Sequence, residues 1–372
     1  MPLYTKIKNI RKCSNLFLLD LKFYTAKLIE ERKKLTIHQV RYKFKQLISK
    51  IKRFSLNKDF IYDQCPYDAH KTFVVNLYER LGDIIASEPI ARHLKQKYPN
   101  CKLKWITHPS YQALFECNPF VDQVILANNL AEVELITLQS KNNGCIIVDC
   151  LFNGRSDEPL PTTNIHVNTI NPLISNQNYF LFGGLLEIFS LTAGLPPLKT
   201  KPKIWTNAQE TLKTSLIKHR IGDKPVVSIH CTSSQTSKNY SLKSWQIIVK
   251  ALIDKGYCVI EIGLKPNIQL SSKSFIDVTQ ENLSLSESIN ILKLSNYFIG
   301  IDSSFAHVAN AINIPSIILL GRCANFAEYS PFSNINRNRV ELRNPRGYAS
   351  DIDPKFVLSA FQYLEIRQRL QG

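Results

Sequence analysis

From about residue 71 onward, short apolar runs alternate with amphipathic stretches. Residues 72–78 read as a buried strand, followed by a helix from residue 84 towards 98 that Pro99-Asn100 ends. Residues 102–107, 121–126 and 145–149 continue the strand pattern. A helix over about 178–192 is stopped by Gly194, Pro196 and Pro197, and the Pro- and Lys-rich stretch to Lys203 reads as a linker. The alternation then resumes with a helix at 208–219, a strand at 225–230, a helix at 241–255 and a strand at 258–263. Residues 297–301 and 316–320 are two further strands around a short helix. A last helix runs from Asp353-Pro354 to about residue 370, with Phe356, Phe361, Leu364 and Ile366 expected as its apolar contacts. Strand–helix alternation of this kind predicts an α/β protein with parallel, doubly wound sheets. The expected organisation is an extension (1–70), two α/β domains (71–203 and 204–335) and a C-terminal segment with its helix (336–372).

Charge changes the picture at one end only. The chain has 372 residues and a net charge of +17. Residues 1–58 hold 16 Lys and Arg against 3 Asp and Glu, so 13 of the 17 net charges sit there. Ile37, Val40, Phe44, Leu47, Ile51 and Phe54 recur every three or four residues, one stripe of a helix, while Lys43, Lys45, Lys50, Lys52 and Arg53 fill other faces. An earlier apolar segment, 16–29, also reads as helix. Such a basic amphipathic helix suits an anionic bilayer surface, at about 1 kcal/mol for each Lys or Arg that reaches the headgroups. The alternative is a helical pair docked on the body with its charge solvated. Nucleic acid is not expected as a partner, since no recognition motif or base-stacking aromatic set accompanies the charge.

Nine cysteines are scattered without a Cys-x-x-Cys pair, which points to reduced thiols rather than a disulfide framework or a metal site. No apolar run approaches the roughly 18 residues needed to span a bilayer, and the N-terminus lacks a signal-peptide core. These features imply a cytoplasmic protein, peripheral at most, with neither cofactor nor metal.

Three stretches carry candidate chemistry. Gly82-Asp83 falls at the carboxyl end of the first strand, where catalytic groups of such sheets gather. A carboxylate there can take a proton from an attacking hydroxyl, or it can simply cap the helix. The glycine-free loop Thr232-Ser233-Ser234-Gln235-Thr236-Ser237-Lys238 offers hydroxyls, backbone amides and one mobile cation, a diphosphate's requirements, although a Ser/Thr-rich loop alone is usually only a loop. Asp302, Ser303 and Ser304 lie where a strand gives way to a helix, a place suited to an anion, with His307 one turn further on. Helix capping by Asp302 or Ser303 is the plain alternative.

Together these residues resemble the bacterial lipopolysaccharide heptosyltransferases, glycosyltransferase family 9. Arg80-Leu81-Gly82-Asp83 followed by Pro89 is similar to the family's opening, and Pro119-Phe120-Val121-Asp122-Gln123-Val124 to its Pro-x-Val-Asp-x-Val segment. Ile147-Val148-Asp149 with Gly154-Arg155 resembles its Asp-Leu-Gln-Gly segment and following basic residue, with the glycine displaced. His230 to Lys238 is similar to His-x-Thr/Ser-Thr-x-x-Lys. Gly300, Asp302, Ser303, His307, Ala309, Ala311 and Pro315 match Gly-x-Asp-Thr-Gly-x-x-His-x-Ala-x-Ala…Pro, with Ser304 in place of a glycine. After Gly263 the family tends to carry a nucleotide-holding glutamate; here Leu264-Lys265-Pro266-Asn267 follows.

The resemblance implies two facing Rossmann-like domains of the GT-B type and a metal-independent, inverting transfer of heptose from ADP-heptose to an inner-core lipopolysaccharide or lipooligosaccharide. Asp83 would be the general base. Thr232, Ser233, Ser234, Lys238, Asp302, Ser303, Ser304 and His307 would bind the nucleotide-sugar donor. Arg80, Gly82 and Arg155 would face the anionic glycolipid acceptor, and the basic extension would hold the enzyme at the inner-membrane surface. Another donor, such as a nucleotide-hexose, and a non-catalytic binding protein on a Rossmann shell are the alternatives.

Overall fold

The computed structural model describes residues 71–78, 80–154, 168–206, 211–233, 235–321, 338–344 and 347–370. The expected helices of the basic extension lie outside the described residues. Residues Ile61–Gly372 form one compact unit.

Two wholly parallel sheets organise that unit. The first contains β1 (Thr72–Asn76), β2 (Lys102–Thr107), β3 (Gln123–Leu126) and β4 (Ile146–Asp149), in the order β3-β2-β1-β4. The second contains β5 (Val226–His230), β6 (Cys258–Glu261), β7 (Phe275–Asp277), β8 (Tyr297–Ile301), β9 (Ser316–Leu320) and β10 (Arg339–Arg343), in the order β10-β9-β8-β5-β6-β7. In the first sheet the order reverses between β1 and β4, and in the second between β5 and β8. Such switch points open a crevice beyond the carboxyl ends of the strands. Every residue of β5, β8 and β9 is buried, as the unbroken apolar runs require when helices cover both sheet faces.

The helices are α1 (Leu81–Ser87), α2 (Pro89–Lys97), α3 (Leu130–Asn142), α4 (Leu185–Thr192), α5 (Leu212–Ile221), α6 (Leu242–Asp254), α7 (Leu285–Lys293), α8 (Ser304–Ala311) and α9 (Pro354–Arg369). Local chemistry explains where they depart from the expected bounds. The helix expected over 84–98 begins at Leu81 and divides at Pro89, which lacks the N–H that a continuous helix would use. The helix expected over 178–192 begins only at Leu185, because Gly183 turns with φ +101° and Gly184 occupies the N-cap. In α9, Phe361 and Leu364 are buried as expected, but Phe356 and Ile366 are exposed. That helix packs on α6, β9 and β10 of the second sheet. Among the described residues, its one-sided contact leaves the outer face uncovered.

The linker is fastened to the first half by one buried acid. Glu88, at the α1–α2 break, accepts from Arg92 Nε and Nη2 at 2.9 and 2.8 Å. It also accepts from the backbone N–H of Lys203 at 2.9 Å and from Trp205 Nε1 at 3.1 Å. Four donors on one carboxylate offset its desolvation, and removing it would leave the Arg92 guanidinium with its bond to the Lys201 carbonyl but without its charge partner. Glu88→Ala is expected to lower the unfolding free energy by about 3 kcal/mol, and Glu88→Gln, which keeps an acceptor, by about half as much, measured by urea denaturation.

Candidate functional site

The two switch points meet through helices α1 and α8. An apolar cluster runs continuously from the first sheet through α1 and α8 to one face of the second sheet. At the contact, a Cβ on Gly82 would lie 2.8 Å from His307 Cδ2 and 3.4 Å from Ser304 Cα. Only a residue without a side chain permits this approach. Gly82 thus acts through the seam with α8, in addition to any role at the acceptor. Two helix N-termini, each a partial positive charge, therefore open at one place.

Asp83 lies in the first turn of α1 and is 8% exposed. The helix N-cap is Arg80, without a side-chain cap bond of its own, so Asp83 is not the N-cap residue. Beside it, at the carboxyl ends of β1 and β4, Asn76 Nδ2 donates to Asp149 Oδ1 at 2.9 Å. Asn168 Nδ2 donates to the carbonyls of Asp149 and Leu151 at 3.0 and 2.9 Å, holding the crevice wall after β4. Sequence reading named Asp149 only within a motif and passed over Asn76 and Asn168, whose roles depend on strand order. Arg155 lies outside the described residues.

Across the seam, Ser303 is the N-cap residue of α8 but makes no side-chain cap bond. Asp302 instead pairs with Lys238, Nζ to Oδ2 at 2.9 Å. The plain capping reading of Asp302 does not hold, because the carboxylate turns to the neighbouring loop's only lysine. Lys238 ends a short 3-10 turn (Thr236–Lys238) after β5. Asn239 Oδ1 braces that loop by accepting from the N–H of Ser233 at 2.8 Å, and the Ser233 hydroxyl accepts from the N–H of Gln235 at 3.1 Å. Part of Ser233's hydrogen bonding thus shapes the loop itself. Thr232 is half-buried next to it, and Ser234 lies outside the described residues. Asn239 is a positioning residue that hydroxyl counting alone could not find.

The electrostatics of the donor side are set by burial. His307 is buried, and its imidazole is lowered from the ordinary 6.5 to about 3, chiefly by desolvation and then by the Arg339 guanidinium, with Asp302 opposing. Arg339 is itself buried, on β10, and lies 3.7 Å from Glu341. His230, at the end of β5, is lowered by burial to about 4. Its ring lies 5.0 Å from that of Phe305, and its Cδ2 lies 3.6 Å from where a Cβ on Gly263 would be, with Thr279 next to it. These residues lie together near the carboxyl ends of β5, β6 and β7, where parallel sheets open a crevice. Glu261, at the end of β6, is turned away: it accepts from the N–H groups of Asn267 and Ile268 at 2.9 and 3.0 Å and so fastens the loop after Gly263. Burial raises its pKa. Among the described residues, no group of three or more His, Cys, Asp or Glu is placed to hold a metal ion.

Two outcomes test this geometry. Ala exceeds Gly by about 1 kcal/mol in helix propensity, so Gly82→Ala would stabilise an isolated α1. The contact with His307 predicts the reverse: no gain in melting temperature, and a loss of about tenfold in turnover with donor and acceptor. The two histidines predict an acid limb. Both are neutral when folded, whereas the unfolded chain takes up protons below about pH 6.5, so stability is unaffected above that pH and falls towards pH 4. Between about pH 7 and pH 5 each histidine should cost about 2 kcal/mol. His230→Gln should flatten the measured slope of unfolding free energy against pH over that range.

Comparison with known proteins agrees with this arrangement. Residues 184–344 match the family model for glycosyltransferase family 9 (heptosyltransferase). No curated protein matches the chain. Among solved structures, a family 9 glycosyl transferase from Veillonella parvula is 15% identical with a TM-score of 0.61, the match covering 80% of this chain and 97% of that one. The ADP-heptose lipopolysaccharide heptosyltransferase II of E. coli is 17% identical with a TM-score of 0.58, covering 80% of this chain and 99% of that one. E. coli heptosyltransferase WaaC, solved with ADP-2-deoxy-2-fluoro heptose, is 13% identical with a TM-score of 0.51, covering 79% and 99%. The likeness to these structures shows the two-sheet GT-B fold. On that fold, residues 184–344 are what matches the glycosyltransferase family 9 (heptosyltransferase) model, and the protein is a glycosyltransferase.

Proposed function

We propose that the protein transfers heptose from ADP-heptose to an anionic inner-core lipopolysaccharide or lipooligosaccharide, inverting the anomeric carbon and without a metal ion. The observation that carries this reading is the meeting of the Gly82-Asp83 turn with the Ser304–His307 turn, next to the Lys238–Asp302 pair. An acceptor hydroxyl passes its proton to Asp83 as its oxygen attacks the anomeric carbon. The bond from that carbon to the diphosphate breaks, and the nucleoside diphosphate leaves with an added negative charge. Lys238, the hydroxyls of Thr232, Ser233 and Ser234, and the amides that open α8 at Ser303 and Ser304 meet that charge. Asp302 keeps Lys238 aimed at the site until the diphosphate shares it. His307, neutral, serves as a hydrogen-bonding partner of the donor rather than a cation. The crevice by His230, Phe305 and Thr279 receives the nucleoside. Arg80, Gly82 and Arg155 face the acceptor, and the basic extension keeps a cytoplasmic enzyme at the inner-membrane surface where such a glycolipid lies.

A second reading, a nucleotide-hexose donor, is favoured by two specific observations: Lys265 stands in the segment where the family's glutamate falls, and Glu261 is committed to its own loop. A thermal-shift series with ADP-heptose and with UDP- and GDP-hexoses separates the two. ADP-heptose at about 100 times its Kd should raise the melting temperature by a few degrees. A shift with a hexose donor alone transfers the assignment to the second reading, and no shift with any nucleotide-sugar sinks the enzyme reading. Asp83→Asn should keep the donor-induced shift while transfer falls by about 10²–10⁴.

A further inference from the structure

Helix α9 has two unlike faces. Val357, Ala360, Phe361 and Leu364 are buried, and the helix packs on α6, β9 and β10. Its single acid, Glu365, also points inward, accepting from Lys255 Nζ at 3.0 Å and Tyr257 Oη at 2.6 Å. The opposite face carries Phe356, Tyr363, Ile366 and Leu370, which are 63%, 53%, 53% and 82% exposed. Phe356, Tyr363 and Leu370 recur every seven residues. At about 100° per residue the four fall within one stripe about 80° wide, in which Ser359 is the one exposed polar side chain. Arg367 borders the stripe on one side, its Nη1 2.9 Å from Tyr363 Oη. Lys355 and Arg369 border it on the other. The exposed acids nearest in the chain, Asp351 and Asp353, stand at the N-terminal end, and Asp353 accepts from the N–H of Lys355.

Single exposed apolar side chains need no explanation, but an aligned set does. Charge decides among its possible occupants. A second copy paired antiparallel along α9 would bring Lys355 of one helix against Arg369 of the other. The chain's own residues 1–58 carry 13 of its net positive charges and would meet Lys355, Arg367 and Arg369 with like sign. An anionic bilayer satisfies both parts, with Phe, Tyr, Ile and Leu entering the headgroup boundary and the flanking cations pairing with lipid phosphates.

We propose that the outer stripe of α9 rests on an anionic lipid surface and docks the second half of the protein there directly, independently of the basic extension. This inference does not depend on the donor or on the reaction.

The test is co-sedimentation of the full chain with vesicles of phosphatidylcholine alone and of equal parts phosphatidylcholine and phosphatidylglycerol, at low salt. The wild type should bind the anionic vesicles. The triple variant Tyr363→Ser, Ile366→Ser, Leu370→Ser should keep its melting temperature, because those side chains are more than half exposed, and lose about tenfold or more in partition. Arg367→Gln with Arg369→Gln should weaken binding and flatten its salt dependence, and it carries the test if the triple variant loses its unfolding transition. Wild-type binding that survives all five substitutions would overturn the proposal in favour of the extension alone. A lipid-free wild-type dimer that becomes monomeric in the triple variant, read by light scattering, would overturn it in favour of a second copy.

Discussion

The close approach of α1 and α8 is the contact on which the rest of the site depends. Each helix follows the central strand of its own sheet, β1 or β8, and each begins at a switch point. Because residue 82 has no side chain, the first turn of one helix can lie against the imidazole of the other. The turn that carries Asp83 on the first half then lies against the turn that opens α8 on the second. Water is largely excluded from the seam, and the same exclusion drives the His307 pKa down. In the proposed reaction, Asp83, Lys238 and the amides opening α8 would act in surroundings where burial strengthens electrostatic stabilisation of a departing diphosphate.

Two buried acids and one half-buried one show how position assigns a task. Glu88 is saturated by Arg92, Lys203 and Trp205 and holds the linker. Glu261 is saturated by the loop that follows it. Asp302 is held by a lysine whose side chain remains partly exposed, an arrangement that an incoming anion can share. A carboxylate whose partners are backbone amides has no such freedom. The difference separates structural acids from those of the site without reference to any relative.

The strands at 297–301 and 316–320 were legible to the residue, because all-apolar runs between turn residues leave little choice in a parallel sheet. Asp83, Lys238, Asp302 and His307 drew attention from their place after strands, and the fold brings the elements that carry them together. The errors have a common origin. Pro89 and Gly183-Gly184 act on the backbone within one turn, and an apolar stripe read over fifteen residues passes over them. Phe356 and Ile366 fit the helical spacing of a buried face, yet the sheet covers only the opposite side of α9. His230, Asn239 and Arg339 gain their meaning from neighbours more than five residues away in the chain.

By itself the sequence determined most of the strands and helices and the parallel sheets, because hydrophobic period and turn chemistry are local properties, while β7, β10, α3 and α7 went unread. The tertiary structure decided the pairing of Asp302 with Lys238 and the contact of Gly82 with His307. It also decided the inward turn of Glu261 and Glu365, and the uncovered outer face of α9. Each of these depends on which strands lie side by side and how closely two helices approach. Those distances arise from packing between segments far apart in the chain, which no local pattern encodes.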